Sequence, residues 1–280
     1  MIKAEGIMLK IRKIVVAVLG EIWDCRAFAV VFILITLVCS HFAKLKMNLY
    51  AIDYNGTYVG LIFDTFFTVG LFAIGLYVAR SIYKLGADNF YDIESGCGLR
   101  PCTYVNIRLL VYVFIGMLFS VIQAVISIFT WESGIWKINI DLKRNYPVEM
   151  PFDSYLQSVL LVIVFIVIPV TVFVVLAVMI ITMLAKSIFP SMVALSLYIF
   201  MAQGIDMAEI NITRCILLYP AHYLQYYFYI INDKFLNYRQ EGYADKYTPK
   251  GAIVAMLIII GLSLIEYMAV ISILKRRRAI

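Results

Sequence analysis

Histidine is almost missing from this 280-residue sequence: His41 and His222 are its only two copies, and they stand on separate segments. That scarcity, with no H-E-x-x-H pattern, leaves no zinc-protease site, and the absence of G-x-S-x-G removes the strained serine turn of the hydrolases. No glycine is followed by lysine, so the chain has no phosphate-binding loop of its own. Cysteine is also thin, at five: Cys25, Cys39, Cys97, Cys102 and Cys215. Only Cys215 falls outside the cytosolic and apolar segments assigned below, which excludes an outer disulfide framework within one chain. Cys97 and Cys102 are separated by four residues, not two, and no further Cys or His lies near them, so they read as ordinary reduced thiols. Charge is scarce as well, at 15% of residues, against about 25% in soluble domains.

What remains is apolar. Hydrophobic residues make up 63% of the chain and the mean hydropathy is +0.91. That excess is too large for a soluble core of this size and must face lipid, where a helix needs about 20 apolar residues to cross. Six such runs stand out: 27–43, 58–79, 109–130, 155–185, 187–204 and 252–274. The fold class expected is therefore all-α integral membrane, with six transmembrane helices. The fourth run is too long for a straight crossing and carries Pro169 in its middle, which predicts a kink or a tilt. Only the region of Lys186 separates the fourth and fifth, and Pro190 suits a helix first turn. A tight helical hairpin is expected there; the alternative is one broken helix, which would change the span count.

Basic residues set the orientation. The N-terminal stretch (Lys3, Lys10, Arg12, Lys13, Arg26), the segment 80–108 (Arg80, Lys84, Arg100, Arg108), Lys186 and the tail (Lys275 to Arg278) hold 14 basic and 6 acidic residues, whereas the opposite side holds 10 of each. The positive-inside bias puts both termini and the segment 80–108 in the cytoplasm of a cell-membrane protein. The net charge of +6 is then a signature of topology and not a nucleic-acid footprint.

Residues 1–26 do not read as a cleaved signal peptide, because charges continue through Glu21, Asp24 and Arg26. Ile7, Ile11, Ile14, Val15, Leu19 and Ile22 recur at helical spacing, as in an amphipathic helix lying on the inner leaflet; a plain extension of the first span is the simpler alternative. Two outer segments are expected, 131–154 and 205–251. The second contains Tyr219, Tyr223, Tyr226 and Tyr227 around Pro220 and His222, residue types that settle at the membrane interface. It suits either a re-entrant turn shielded by protein or an interfacial helix before the sixth span.

Polar groups at membrane depth are expensive and each has two readings. Asp64, Gln123 and Glu266 could line a polar pathway, or could hydrogen-bond between helices or protomers, with the basic tail holding Glu266. The assigned spans contain no Lys or Arg, which weakens the proton-relay reading.

The organisation as a whole resembles the permease subunits of type-two ABC exporters, a class that includes antibiotic and bacteriocin exporters and their immunity relatives. The features that carry the resemblance are the basic N-terminal helix, six spans, a structured segment between spans two and three, a tight turn between four and five, and the aromatic segment before span six. The closest local match is ADNFYDIESGCGLRPCTYVNIRLL, residues 87–110. The resemblance implies that Asn89, Phe90, Tyr91, Asp92, Ile93 and Glu94 form a coupling helix on a separate ATPase. It also implies that Gly96 and Gly98 make the turn and that Arg100 and Arg108 flank the return into the membrane. ATP and Mg would sit on that partner, none would be bound by this chain, and a second permease half, identical or related, would complete the path. The chain itself is expected not to be an enzyme. Two rivals remain open: an ion-coupled secondary transporter using Asp64 and Glu266, and a non-transporting immunity or sensor component.

Overall fold

The computed structural model describes residues 69–87, 101–132, 163–204 and 248–278, with isolated helical positions at 12, 16, 20, 30, 33, 34, 160, 220, 223 and 224. The described part is helical. α1 runs Leu71–Ala87, α2 Pro101–Glu132, a π-helical turn Ile163–Val167 leads into α3 Ile168–Ala185, α4 is Phe189–Gly204, and α5 is Pro249–Arg278. Three of these helices are long and apolar enough to cross a membrane, with windows Val105–Ile122, Ile163–Ala185 and Pro249–Arg276; a shorter apolar helix covers Phe189–Met201. Helices of this kind point to a membrane protein.

Proline marks where these helices begin. Pro101 and Pro249 open α2 and α5, Pro190 is second in α4, and Pro169 is second in α3. A proline in the first turn sacrifices an N–H that has no intrahelical partner anyway. For Pro169 the neighbouring turn also adapts. In an unbroken α-helix its ring would meet the carbonyl of Phe165, and the wider π turn at Ile163–Val167 relieves that collision. The interruption expected in the fourth run is therefore a π turn just ahead of Pro169.

α3 ends at Lys186, whose φ of 51° and ψ of 32° place it in the left-handed region. That residue reverses the chain. Thr182 and Ser191 share a hydroxyl hydrogen bond of 2.6 Å, and the rings of Phe173 and Tyr198 stand 5.8 Å apart. Residues further back along α3 thus meet residues further forward along α4, so the two helices form an antiparallel hairpin. At the start of α5, the Thr248 Oγ accepts the Gly251 N–H at 3.2 Å, an N-cap bond.

α3 is the hub, packing on α1, α2, α4 and α5, most extensively on α5 and α1. Two glycines permit the close approaches. A Cβ at Gly75 of α1 would run into Leu195 of α4 and lie 3.7 Å from Val178 of α3; one at Gly116 of α2 would lie 3.0 Å from Thr171 of α3 and 3.3 Å from Ile74 of α1. Small residues at crossings are how helices gain packing energy where burial from lipid gives little.

α1 and α2 extend into the segment 80–108: α1 continues to Ala87 and α2 begins at Pro101. Residues 88–100, between them, lie outside the described residues. Of the N-terminal stretch, Arg12, Val16 and Gly20 are helical and exposed; the apolar positions from Ile7 to Ile22 that define its expected face lie outside the description.

Candidate functional site

The polar interior of the bundle centres on Arg108. Its neighbours in α2 include Val105, Ile107, Leu109, Leu110 and Val111, so the helix is apolar on both sides of it, and the side chain is only 1% exposed. Nη1 donates to the Oγ of Ser81 on α1 at 3.0 Å and to the hydroxyl of Tyr112, one turn along α2, at 3.1 Å. The Tyr112 hydroxyl in turn donates to Ser81 Oγ at 2.9 Å. Ser81 Oγ therefore uses both of its lone pairs on α2 donors, closing a three-membered ring of hydrogen bonds between the two helices. Tyr77, one turn before Ser81, meets the Tyr112 ring edge-on, with centroids 5.7 Å apart at 80°. A charged donor in an apolar setting must be met by acceptors; the pair of hydroxyls meets Nη1 while fixing α1 against α2.

Sequence reading left Arg108 one position outside the 109–130 run. Arg108 lies inside the Val105–Ile122 window. It is buried at the helix contact and not simply at the margin of a connecting segment. A signal was present: Arg108 and Tyr112 are spaced one turn apart, so their side chains share a helix face.

A second polar point joins α2 to α5, where the Tyr267 hydroxyl donates to Asn106 Oδ1 at 2.7 Å. Beside Tyr267 stands Glu266. Ala252, Ala255, Ile259, Val270 and Leu274 form the buried stripe of α5, and Glu266 falls on that stripe, seven residues after Ile259 and four before Val270. Its Oε2 is buried and has no hydrogen-bond partner among the described residues. Of the basic tail, Lys275 and Arg276 are exposed, about 13 Å further along the helix axis; the side chains of Arg277 and Arg278 lie outside the described residues.

Tyr223 is helical and buried, as are Pro220 and Leu224. The Tyr223 hydroxyl accepts the Thr248 N–H at 2.8 Å and lies against Gly251, where a side chain would displace it. It therefore anchors the start of α5. Gln123 lies on α2, with its side chain outside the described residues. Asp64, Asn89, Phe90, Tyr91, Asp92, Ile93, Glu94, Arg100, Tyr219, Tyr226 and Tyr227 also lie outside them. The structure thus brings together Arg108, Ser81 and Tyr112, and separately Tyr267 and Asn106. Among the described residues no group of three His, Cys, Asp or Glu side chains could hold a metal ion.

Compared with known proteins, the chain matches no family, no curated protein and no solved structure.

Proposed function

We propose that this chain is the membrane-spanning permease subunit of an ATP-driven ABC exporter. It would move an amphipathic peptide, antibiotic or lipid-like molecule out of the cell or membrane. ATP and Mg would be held by a separate ATPase, and a second permease half would complete the path. The observation that carries this reading is the Arg108–Ser81–Tyr112 clamp. It joins α1 and α2 close to the two points where the chain leaves for residues 88–100 and returns from them. A segment hinged loosely at its ends would absorb a push, whereas one anchored on two clamped helices delivers the push to both as a rigid pair. That pair packs on α3, which touches α4 and α5 in turn. Displacement of the 88–100 segment by a partner would therefore reach the whole described bundle. Phe90, Tyr91 and Ile93 supply apolar anchors for a groove on the partner, with Asp92 and Glu94 as its charged rim. Both termini and this segment face the cytoplasm in this reading, as the basic residues favour.

The test is to purify the tagged chain from its own membranes. An ATP-binding protein accompanies it, and replacing Phe90 and Tyr91 by Ala weakens that association. Tyr112→Phe, which removes a hydroxyl from the clamp, leaves the ATPase bound but lowers ATP-dependent transport. Recovery of an active chain that transports without any ATPase would overturn the reading in favour of an ion-coupled carrier. Unaltered assembly and ATP hydrolysis in the Phe90/Tyr91 variant would remove the coupling role from residues 89–94.

A further inference from the structure

α1 gathers its exposed side chains on one stripe. Phe72, Leu76, Arg80 and Lys84 recur at four-residue spacing, with Tyr83 beside the last two, so they share a face of the helix. Phe72, Arg80, Tyr83 and Lys84 are exposed and Leu76 is half-buried, whereas Ile74, Val78, Ser81 and Ile82 are buried on the other side. Along this stripe the surface changes from apolar to basic within about 6 Å, the rise from Leu76 to Arg80. α5 makes the change more slowly. Met268 is its last exposed large apolar side chain among the described residues, and Lys275 follows about 10 Å further along. The two transitions fall at the same end of the bundle, because Ser81 meets Arg108 and Tyr267 meets Asn106, both near the start of α2. Charge at the α1 corner is also one-sided. α1 and α2 bring Arg80, Lys84 and Arg108, and neither helix holds a carboxylate before Glu132, about 36 Å beyond Arg108 along the axis.

We propose that this stripe binds an anionic phospholipid, with the phosphate held by Arg80 and Lys84 and an acyl chain laid along Leu76 and Phe72. Each part of the stripe matches a part of that molecule. A guanidinium such as Arg80 can meet two phosphate oxygens at once, and Lys84, one turn on, adds a compact charge. Tyr83 pairs an aromatic ring with a polar tip, the kind of side chain that settles between hydrocarbon and headgroups. Leu76 and Phe72 lead away from the cations as a lipid tail leads away from its phosphate. A soluble acidic protein could answer the two cations but would leave the apolar half of the stripe bare. A zwitterionic lipid covers the apolar half but brings a cation of its own to the headgroup end. Only an anionic lipid answers both halves. On α5 the two turns between Met268 and Lys275 separate the halves, so the same match is not built there. The site rests on α1 and requires no ATPase, so its failure and that of the exporter reading are distinguishable.

The test uses the full chain reconstituted in vesicles. Its three native tryptophans, Trp23, Trp131 and Trp136, are replaced by Phe, and Leu76→Trp supplies the sole reporter. Lipids with brominated chains quench a tryptophan that they touch. Brominated phosphatidylglycerol, diluted into unbrominated phosphatidylcholine, is expected to quench this reporter with an apparent affinity about five-fold or more above that of brominated phosphatidylcholine. The preference falls to parity in Arg80→Gln with Lys84→Gln, and persists in Arg80→Lys with Lys84→Arg, which keeps both charges. A reporter at Leu257→Trp, on the exposed face of α5, shows no preference in the same vesicles. Equal quenching by the two lipids at position 76, a preference that survives Arg80→Gln with Lys84→Gln, or an equal preference at position 257 would overturn the proposal. So would a reporter at position 76 that neither lipid quenches, which would mean that a protein neighbour covers the stripe.

Discussion

α3 and α5 are both apolar enough to cross a membrane, yet 56% of the Ile163–Ala185 window is buried in the bundle and only 17% of Pro249–Arg276. α3 buries residues on every side, among them Val170, Phe173, Val174, Leu176 and Met179. α5 turns Ile253, Leu257, Ile260, Leu264 and Met268 outward, the face a membrane helix gives to lipid. In water such a difference would be written as polarity, since a helix that is hydrophobic all round must be central. In lipid the outer face is as apolar as the inner one, so hydrophobicity no longer separates hub from periphery. Packing detail does so instead, through small residues at the crossings and hydroxyls that find partners.

That contrast can be broken by substitution. The largest effect is expected from truncating Leu176, 1% exposed on α3, to Ala: a loss of about 2–5 kcal/mol, because the packed hub cannot close around the cavity. The same change at Leu264, 60% exposed on α5, is expected to cost under about 0.5 kcal/mol. Chemical denaturation in mixed micelles, following helix content, measures both; equal losses would erase the distinction between hub and periphery. A glycine pair should differ in sign. Gly116→Ala pushes a Cβ against Thr171 of the hub and should destabilise by about 1–3 kcal/mol. Gly261→Ala on α5 meets nothing within 4 Å and should stabilise by about 1 kcal/mol through helix propensity. Melting temperatures of the two variants in one detergent decide this. The smallest change sharpens the account of the hub itself. Thr171 Oγ1 is buried with no hydrogen-bond partner among the described residues, so Thr171→Val should be neutral or stabilise by up to about 1 kcal/mol. A clear loss in the same melt would mean that the hydroxyl is engaged.

How much of this was legible beforehand varies from element to element. The turn between α3 and α4 was readable from Lys186 and Pro190, because a polar break followed by a first-turn proline is local chemistry. Pro169 likewise announced a disturbed helix, although its form, a π turn one step upstream, depends on which carbonyl yields to the ring. Arg108 was read as flanking the return into the membrane, not as a buried contact. Its charge suggested an aqueous margin, whereas Ser81 from α1, 27 residues away, and Tyr112 one turn along α2 give its Nη1 acceptors inside the bundle. Glu266 was singled out as a costly group, but its place on the buried stripe of α5 and its lack of a donor follow from which side of that helix meets the bundle. The coupling positions 89–94 and Asp64 rest on sequence alone, since they lie outside the described residues.

The sequence by itself determined that this chain is helical and apolar enough for lipid, and where its helices must start and turn. Those properties follow from side-chain transfer, from proline and from runs of neighbouring residues. Only the tertiary structure decided that α3 is central, that α1 and α2 are clamped through Arg108, and that Glu266 Oε2 is buried without a donor among the described residues. These depend on contacts between residues far apart in the chain, and in a chain apolar on nearly every face no local pattern says which face will find a neighbour.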